Sequence, residues 1–223
     1  MRWRWAFTRV AWSGARLLLG ALATALPLAA APSVVVVFGD AGAARGLGDS
    51  ESYAQLLARD LPRLGFPAQV IDAALAADPT PQAIGRLGDV LSFRPQAVVL
   101  HFGLDDARLQ WDVAAIRRSV AAPVEGFEAN LRQMIERLKA AGAAVIVVAP
   151  ATVKRAEEYG DLAAYRQAAL RAAADHGVPS VDLERDLAGS SEAFTPDGRL
   201  TAHGRRQLVN ALLARLTPAL ERR

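Results

Sequence analysis

Residues 34–42 are Val34-Val35-Val36-Val37-Phe38-Gly39-Asp40-Ala41-Gly42. Four consecutive β-branched residues and an aromatic make a strand buried on both faces, the kind found inside a parallel sheet. The Gly-Asp that closes the run turns the chain off the carboxyl end of the strand, where open α/β folds place their ligands. Chemistry should therefore come directly after Phe38. The residues there are Gly39, Asp40 and then an alanine, Ala41.

Upstream of this strand lies a leader. Arg2, Arg4, Arg9 and Arg16 are the only charged side chains in residues 1–31. An uncharged run over residues 17–31 comes next and closes on Ala29-Ala30-Ala31. Basic, apolar and small-residue segments in that order make a secretory signal. Pro32 directly after the alanines would hinder cleavage there, so an uncleaved membrane anchor is the alternative. Both readings put the protein outside the cytoplasm, in the periplasm or secreted, or tethered through residues 17–31. They also divide the chain into residues 1–31 and a single domain over 32–223.

The charge pattern excludes a nucleic-acid partner. The chain carries a formal +3, but removing the four leader arginines takes this to −1. The remaining body has no basic groove and no aromatic stacking pattern. With no cysteine, thiol catalysis, disulfides and thiolate metal sites are excluded as well. A membrane contact is expected only through the leader, and no cofactor is expected.

Downstream, strands and helices alternate. Helices are predicted over residues 53–64, 81–92, 124–141, 161–176 and 202–216, with strands over 33–38, 68–71, 96–102, 143–149 and 179–183. Asp49, Ser50 and Ser52 can each cap the first helix, and Thr201 the last. Residues 104–122 read as irregular, with one amphipathic helical turn around 111–118. Such alternation argues a five-stranded parallel sheet in a three-layer α/β/α sandwich, with right-handed crossovers favouring the order 2-1-3-4-5.

Functional groups should come after strands one and three and before the last helix. Those places hold Gly39-Asp40-Ala41, Gly103-Leu104-Asp105-Asp106 and Thr195-Pro196-Asp197-Gly198. Taken with Glu51-Ser52-Tyr53, Asn130-Leu131, Ala141-Gly142-Ala143 and Leu200-Thr201-Ala202-His203-Gly204, the chain resembles the SGNH, or GDSL, hydrolases, in particular the envelope esterase and lysophospholipase group. The resemblance spans residues 33–216. It implies the flavodoxin-like SGNH fold and, in an active member, a serine nucleophile, a histidine base oriented by aspartate, and oxyanion donors.

Position by position, the resemblance implies a depleted site. The nucleophile position is Ala41, which has no oxygen. The donor glycine after strand two is matched to Ala74. The donor asparagine two residues after Gly103 is Asp105, whose charge would repel an oxyanion. The base, three residues after Asp197, is Leu200. Losing nucleophile, base and one donor together removes ester hydrolysis by the usual route. The expected protein is a pseudoenzyme that binds an acyl, lipid or glycan ligand, or an envelope protein.

Two alternatives stay open. Gly48-Asp49-Ser50 and His203 supply a displaced serine and histidine for an active ester hydrolase, against plain roles as a helix cap and a helix-start histidine. Asp40, Asp105, Asp106 and Asp197 would form a divalent-metal pocket if they converged, against tying down loops through backbone N–H groups. His101 reads as a satisfied sheet histidine and His176 as a helix C-terminal one. Trp111, Tyr159 and Tyr165 would line a groove or pack in the core.

Overall fold

The computed structural model describes residues 32–45, 51–112, 117–152, 158–187, 192–196 and 199–221. The chain divides into two units, Met1–Ala31 and Pro32–Arg223. Residues 1–31, where a leader is expected, lie outside the described residues, as do Ser50, Asp197 and the side chain of Trp111. No helix among the described residues is long and apolar enough to cross a membrane.

The second unit is built on the Val34–Gly39 run. β1 (Ser33–Gly39) pairs in parallel with β2 (Ala68–Asp72) on one side and β3 (Ala97–His101) on the other. β6 (Ala144–Ala149) and β7 (Ser180–Asp182) extend the sheet in the order β2-β1-β3-β6-β7. In main-sheet strands this is 2-1-3-4-5, the order expected.

Period-two alternation divides β1 between two cores. Val36 and Phe38 face α2 (Thr80–Ser92), α4 (Val124–Ala140) and α5 (Leu162–Asp175). Val35 and Val37 face α1 (Tyr53–Arg63) and α7 (Ala202–Glu221). All four side chains are fully buried, each contributing about 1.5–3 kcal/mol of transfer free energy. The sheet's two-sided burial explains why strands one and three carry no polar alternation.

Start and stop signals place the helices within one or two residues, with one long exception. Ser52 caps α1 in a capping box: its hydroxyl accepts the Gln55 N–H, and the Gln55 side chain accepts the Ser52 N–H. Of the three caps offered by the sequence, Ser52 is the one used. Thr201 accepts the Gly204 N–H at 3.1 Å and so opens α7. That helix runs to Glu221 rather than stopping near residue 216, because Leu216 and Leu220 keep its apolar stripe on the sheet past Pro218.

The expected helical turn around residues 111–118 is a correction. The chain makes a short helix, α3 (Leu104–Ala107), then an antiparallel pair, β4 (Leu109–Asp112) and β5 (Arg117–Val120), with Leu109 opposite Val120. Apolar residues facing each other across a ladder outweigh a weak helical spacing. A last short helix, α6 (Leu183–Asp186), comes after β7 with Asp182 as its cap.

Candidate functional site

The loop after β1 is shaped by what it must avoid. A Cβ on Gly39 would stand 2.3 Å from the His101 carbonyl oxygen and 2.6 Å from the Ala43 Cβ, so only glycine lets β1 end here. Gly103, after β3, holds φ at +122° and starts α3. These two glycines bring the ends of β1 and β3 together, and Asp40 fastens them. Its Oδ1 accepts the Gly42 N–H at 2.8 Å, and its Oδ2 accepts the Gly103 and Asp105 N–H groups at 2.8 and 2.9 Å. The Asp40 carboxyl is fully buried. Burial first, then the charges of Asp105 and Asp106, push its pKa well above the usual carboxylate range.

Asp105 completes the arrangement. Its Oδ2 accepts the Ala41 N–H at 2.9 Å and the Ala77 N–H at 2.8 Å, and its Oδ1 lies 3.4 Å from the Arg108 Nε. Two backbone N–H groups converging on one charged oxygen are the construction of an oxyanion hole. Here the oxygen they hold belongs to the protein.

Ala77 is a residue that sequence reasoning missed. The donor expected after β2 was Ala74, but the Ala74 N–H turns to the Asp72 Oδ1 at 3.3 Å. Ala77, three residues on, stands at φ +61° and aims its N–H at the site. That conformation favours glycine, and nothing in an alanine-rich run marks which alanine adopts it.

Above the loop lies a cavity of about 260 Å³ lined by Ala41, Ala76, Ala77, Asp105, Arg108 and Arg199. Ala41 and Asp105 thus share one site, as the family resemblance requires. Arg108 reaches Tyr159, its Nη2 donating to the phenol oxygen at 3.1 Å with the guanidinium over the ring. Arg199 comes from the block before α7, held by its N–H to the Thr195 hydroxyl. Neither arginine stands out in the sequence, where both look like ordinary surface residues.

The remaining candidates do not join the site. Leu200, at the position of the missing base, is buried among Leu208, Val209 and Leu212. His203 is exposed on the first turn of α7 and is absent from the cavity wall. His101 is the histidine closest to the loop: a Cβ on Gly42 would lie 3.1 Å from its Nε2. Its Nδ1 faces the Tyr53 hydroxyl at 3.4 Å, and burial holds its pKa down to about 3. An imidazole so weakly basic is a poor proton acceptor at neutral pH. His176 ends α5, with its Nδ1 2.8 Å from the Ala172 carbonyl oxygen and its Nε2 3.2 Å from Glu136. Tyr159 and Tyr165 are buried, the latter donating its hydroxyl to the Ala122 carbonyl.

Among the described residues, no group of three or more His, Asp or Glu side chains stands where it could hold a metal ion. Asp40 and Asp105 meet backbone N–H groups, and the Asp106 Oδ1 accepts the Thr80 N–H at 2.9 Å and its hydroxyl at 2.6 Å. These three carboxyls tie loops together, which is the plainer of their two readings.

Asp106 leaves a measurable trace. Its Oδ2 is buried with no hydrogen-bond partner among the described residues, and burial pushes its pKa up to about 6 despite the bonds from Thr80. A carboxyl raised in the folded state favours folding while protonated, below about pH 4, and that contribution is lost as pH rises through about 6. Asp106→Asn removes this dependence. Relative to wild type, the variant should gain about 3 kcal/mol between pH 4 and pH 7, at 1.36 kcal/mol per pH unit. Urea unfolding of both proteins at the two pH values measures it; parallel profiles would refute it.

With fold and site in place, comparison with known proteins gives the family. Residues 37–207 match the family profile of the GDSL-like lipases and acylhydrolases, and the chain belongs to that family. No curated protein matches the sequence. Among solved structures, the chain is similar to a lipase/acylhydrolase from Enterococcus faecalis, at 26% identity and TM-score 0.69, covering 82% of this chain and 94% of that one. TesA superposes at 22% identity and TM-score 0.67, over 84% and 99% of the two chains. The psychrotrophic esterase EstA from Pseudoalteromonas sp. does so at 18% and 0.64, over 85% and 99%. The last two likenesses concern the fold alone.

Proposed function

We propose that this chain is a non-hydrolytic GDSL-family protein of the cell envelope, which keeps the cavity of the fold and acts by binding a ligand or partner there. One observation carries the reading: the Ala41 and Ala77 N–H groups, placed to stabilise a developing oxyanion, both hold the Asp105 carboxylate. A substrate carbonyl oxygen brought there would meet a negative charge instead of two free donors. Ala41 supports the same conclusion because it offers no nucleophile, and Leu200 offers no base. The leader over residues 1–31 supports an envelope location.

The test is hydrolysis of p-nitrophenyl acetate and butyrate by the purified full chain. Turnover should equal that of buffer. Saturable turnover that Ser50→Ala or His203→Ala abolishes would establish the displaced-dyad hydrolase instead.

A further inference from the structure

The cavity over Ala41 is not electrically neutral. Its one acidic group among the described residues, Asp105, is compensated on both oxygens: two backbone N–H groups meet Oδ2, and Arg108 faces Oδ1. The buried Asp40 lies behind it, with its oxygens bonded to Gly42, Gly103 and Asp105 backbone N–H groups. The wall also carries Arg199, so its two guanidiniums, Arg108 and Arg199, exceed its one described carboxyl by one charge. The Arg199 guanidinium has no partner among the described residues. The same wall carries the small apolar side chains Ala41, Ala76 and Ala77. Guanidiniums together with small apolar side chains in one cavity match a ligand with an anionic head and a short hydrocarbon tail.

Size and charge narrow the class. A volume of about 260 Å³ is below the roughly 300–1,000 Å³ of pockets that hold drug-sized ligands, and equals about nine waters of liquid volume. A planar carboxylate suits the fork of a guanidinium. A phosphate monoester suits it equally in shape, but near neutral pH it carries more charge against the neighbouring Asp105 carboxylate, and like charges at short range repel.

Resting on the non-hydrolytic reading above, we propose that this cavity is a binding site for a short-chain monocarboxylate. Arg199 and Arg108 take the carboxylate head, and the three alanines take the tail.

Isothermal titration of the full chain with butyrate, butyramide and butyl phosphate tests it. Butyrate should bind saturably, butyramide should give no saturable heat, and butyl phosphate should bind more weakly than butyrate. Arg199→Gln should weaken butyrate at least tenfold, which is about 1.4 kcal/mol, with the melting temperature unchanged. Arg108→Gln serves as the second variant should Arg199→Gln fail to fold, and it should weaken butyrate in the same sense. No saturable heat with butyrate, equal binding of butyramide, tighter binding of butyl phosphate, or full affinity in the folded arginine variant would each overturn the proposal. Ester turnover is measured on the same sample. Butyrate binding with turnover defeats only the non-hydrolytic reading, and silence in both assays defeats only the carboxylate site.

Discussion

Asp40→Ala should lose about 3–6 kcal/mol of stability, a large fraction of what holds a domain folded. The carboxyl accepts three backbone N–H groups from two strand ends, at 2.8, 2.8 and 2.9 Å. Removing it leaves two buried donors, Gly103 and Asp105, and the half-buried Gly42 N–H without an acceptor, each buried one costing about 1–3 kcal/mol. Total stability for a domain is only about 5–15 kcal/mol. Asp40→Asn keeps one carbonyl acceptor but presents N–H donors to N–H donors, so it should fall between the two. Chemical denaturation followed by circular dichroism measures the series; an Asp40→Ala midpoint equal to wild type would refute the role given to Asp40.

Asp105→Ala should cost about 2–4 kcal/mol by the same reasoning, with two backbone donors exposed instead of three. The loss should be local as well as global. Asp105 joins the loop after β1, through Ala41, to the segment before α2, through Ala77. Amide hydrogen exchange should therefore speed up at Ala41 and Ala77 by more than at the sheet centre, where opening requires global unfolding. Uniform acceleration across the sheet, or none at these two amides, would contradict the bridging role. The cavity beside them admits water, which is why the expected cost is below that of Asp40→Ala.

The predictable parts of this chain are those set by short-range chemistry. The Val34–Val37 run, ending on Gly39, marks the central strand, and the cap and glycine signals mark the helices within a residue or two. The site's location is legible for the same reason, since strand ends in a parallel sheet share one edge. Ala41 is legible as a missing nucleophile because the Gly-Asp before it fixes its place.

The hidden parts depend on contacts between distant residues. The Ala77 N–H, 28 residues from its acceptor Asp105, cannot be told from its neighbours until the φ of +61° is known. Asp105 reads in sequence as a charge that would repel an oxyanion; its bonds show that it takes the oxyanion's place. Arg108 becomes part of the cavity wall through the end of α3, which sets it beside Asp105 and Tyr159, and Arg199 through the loop before α7. The β4–β5 hairpin reads as a helical turn because its pairing partner lies across residues 113–116.

On the proposed non-hydrolytic reading, Asp105 and the lack of a base close the site to ester chemistry, beyond the loss of the serine. Ester turnover by the full-chain Ala41→Ser variant, beside wild type, tests it most directly. Restoring a hydroxyl at position 41 leaves the Asp105 carboxylate on the Ala77 N–H, and His101, with a pKa of about 3, as a weak base nearby. Hydrolysis of p-nitrophenyl butyrate should run at the buffer rate for both proteins. Saturable turnover by Ala41→Ser would contradict it.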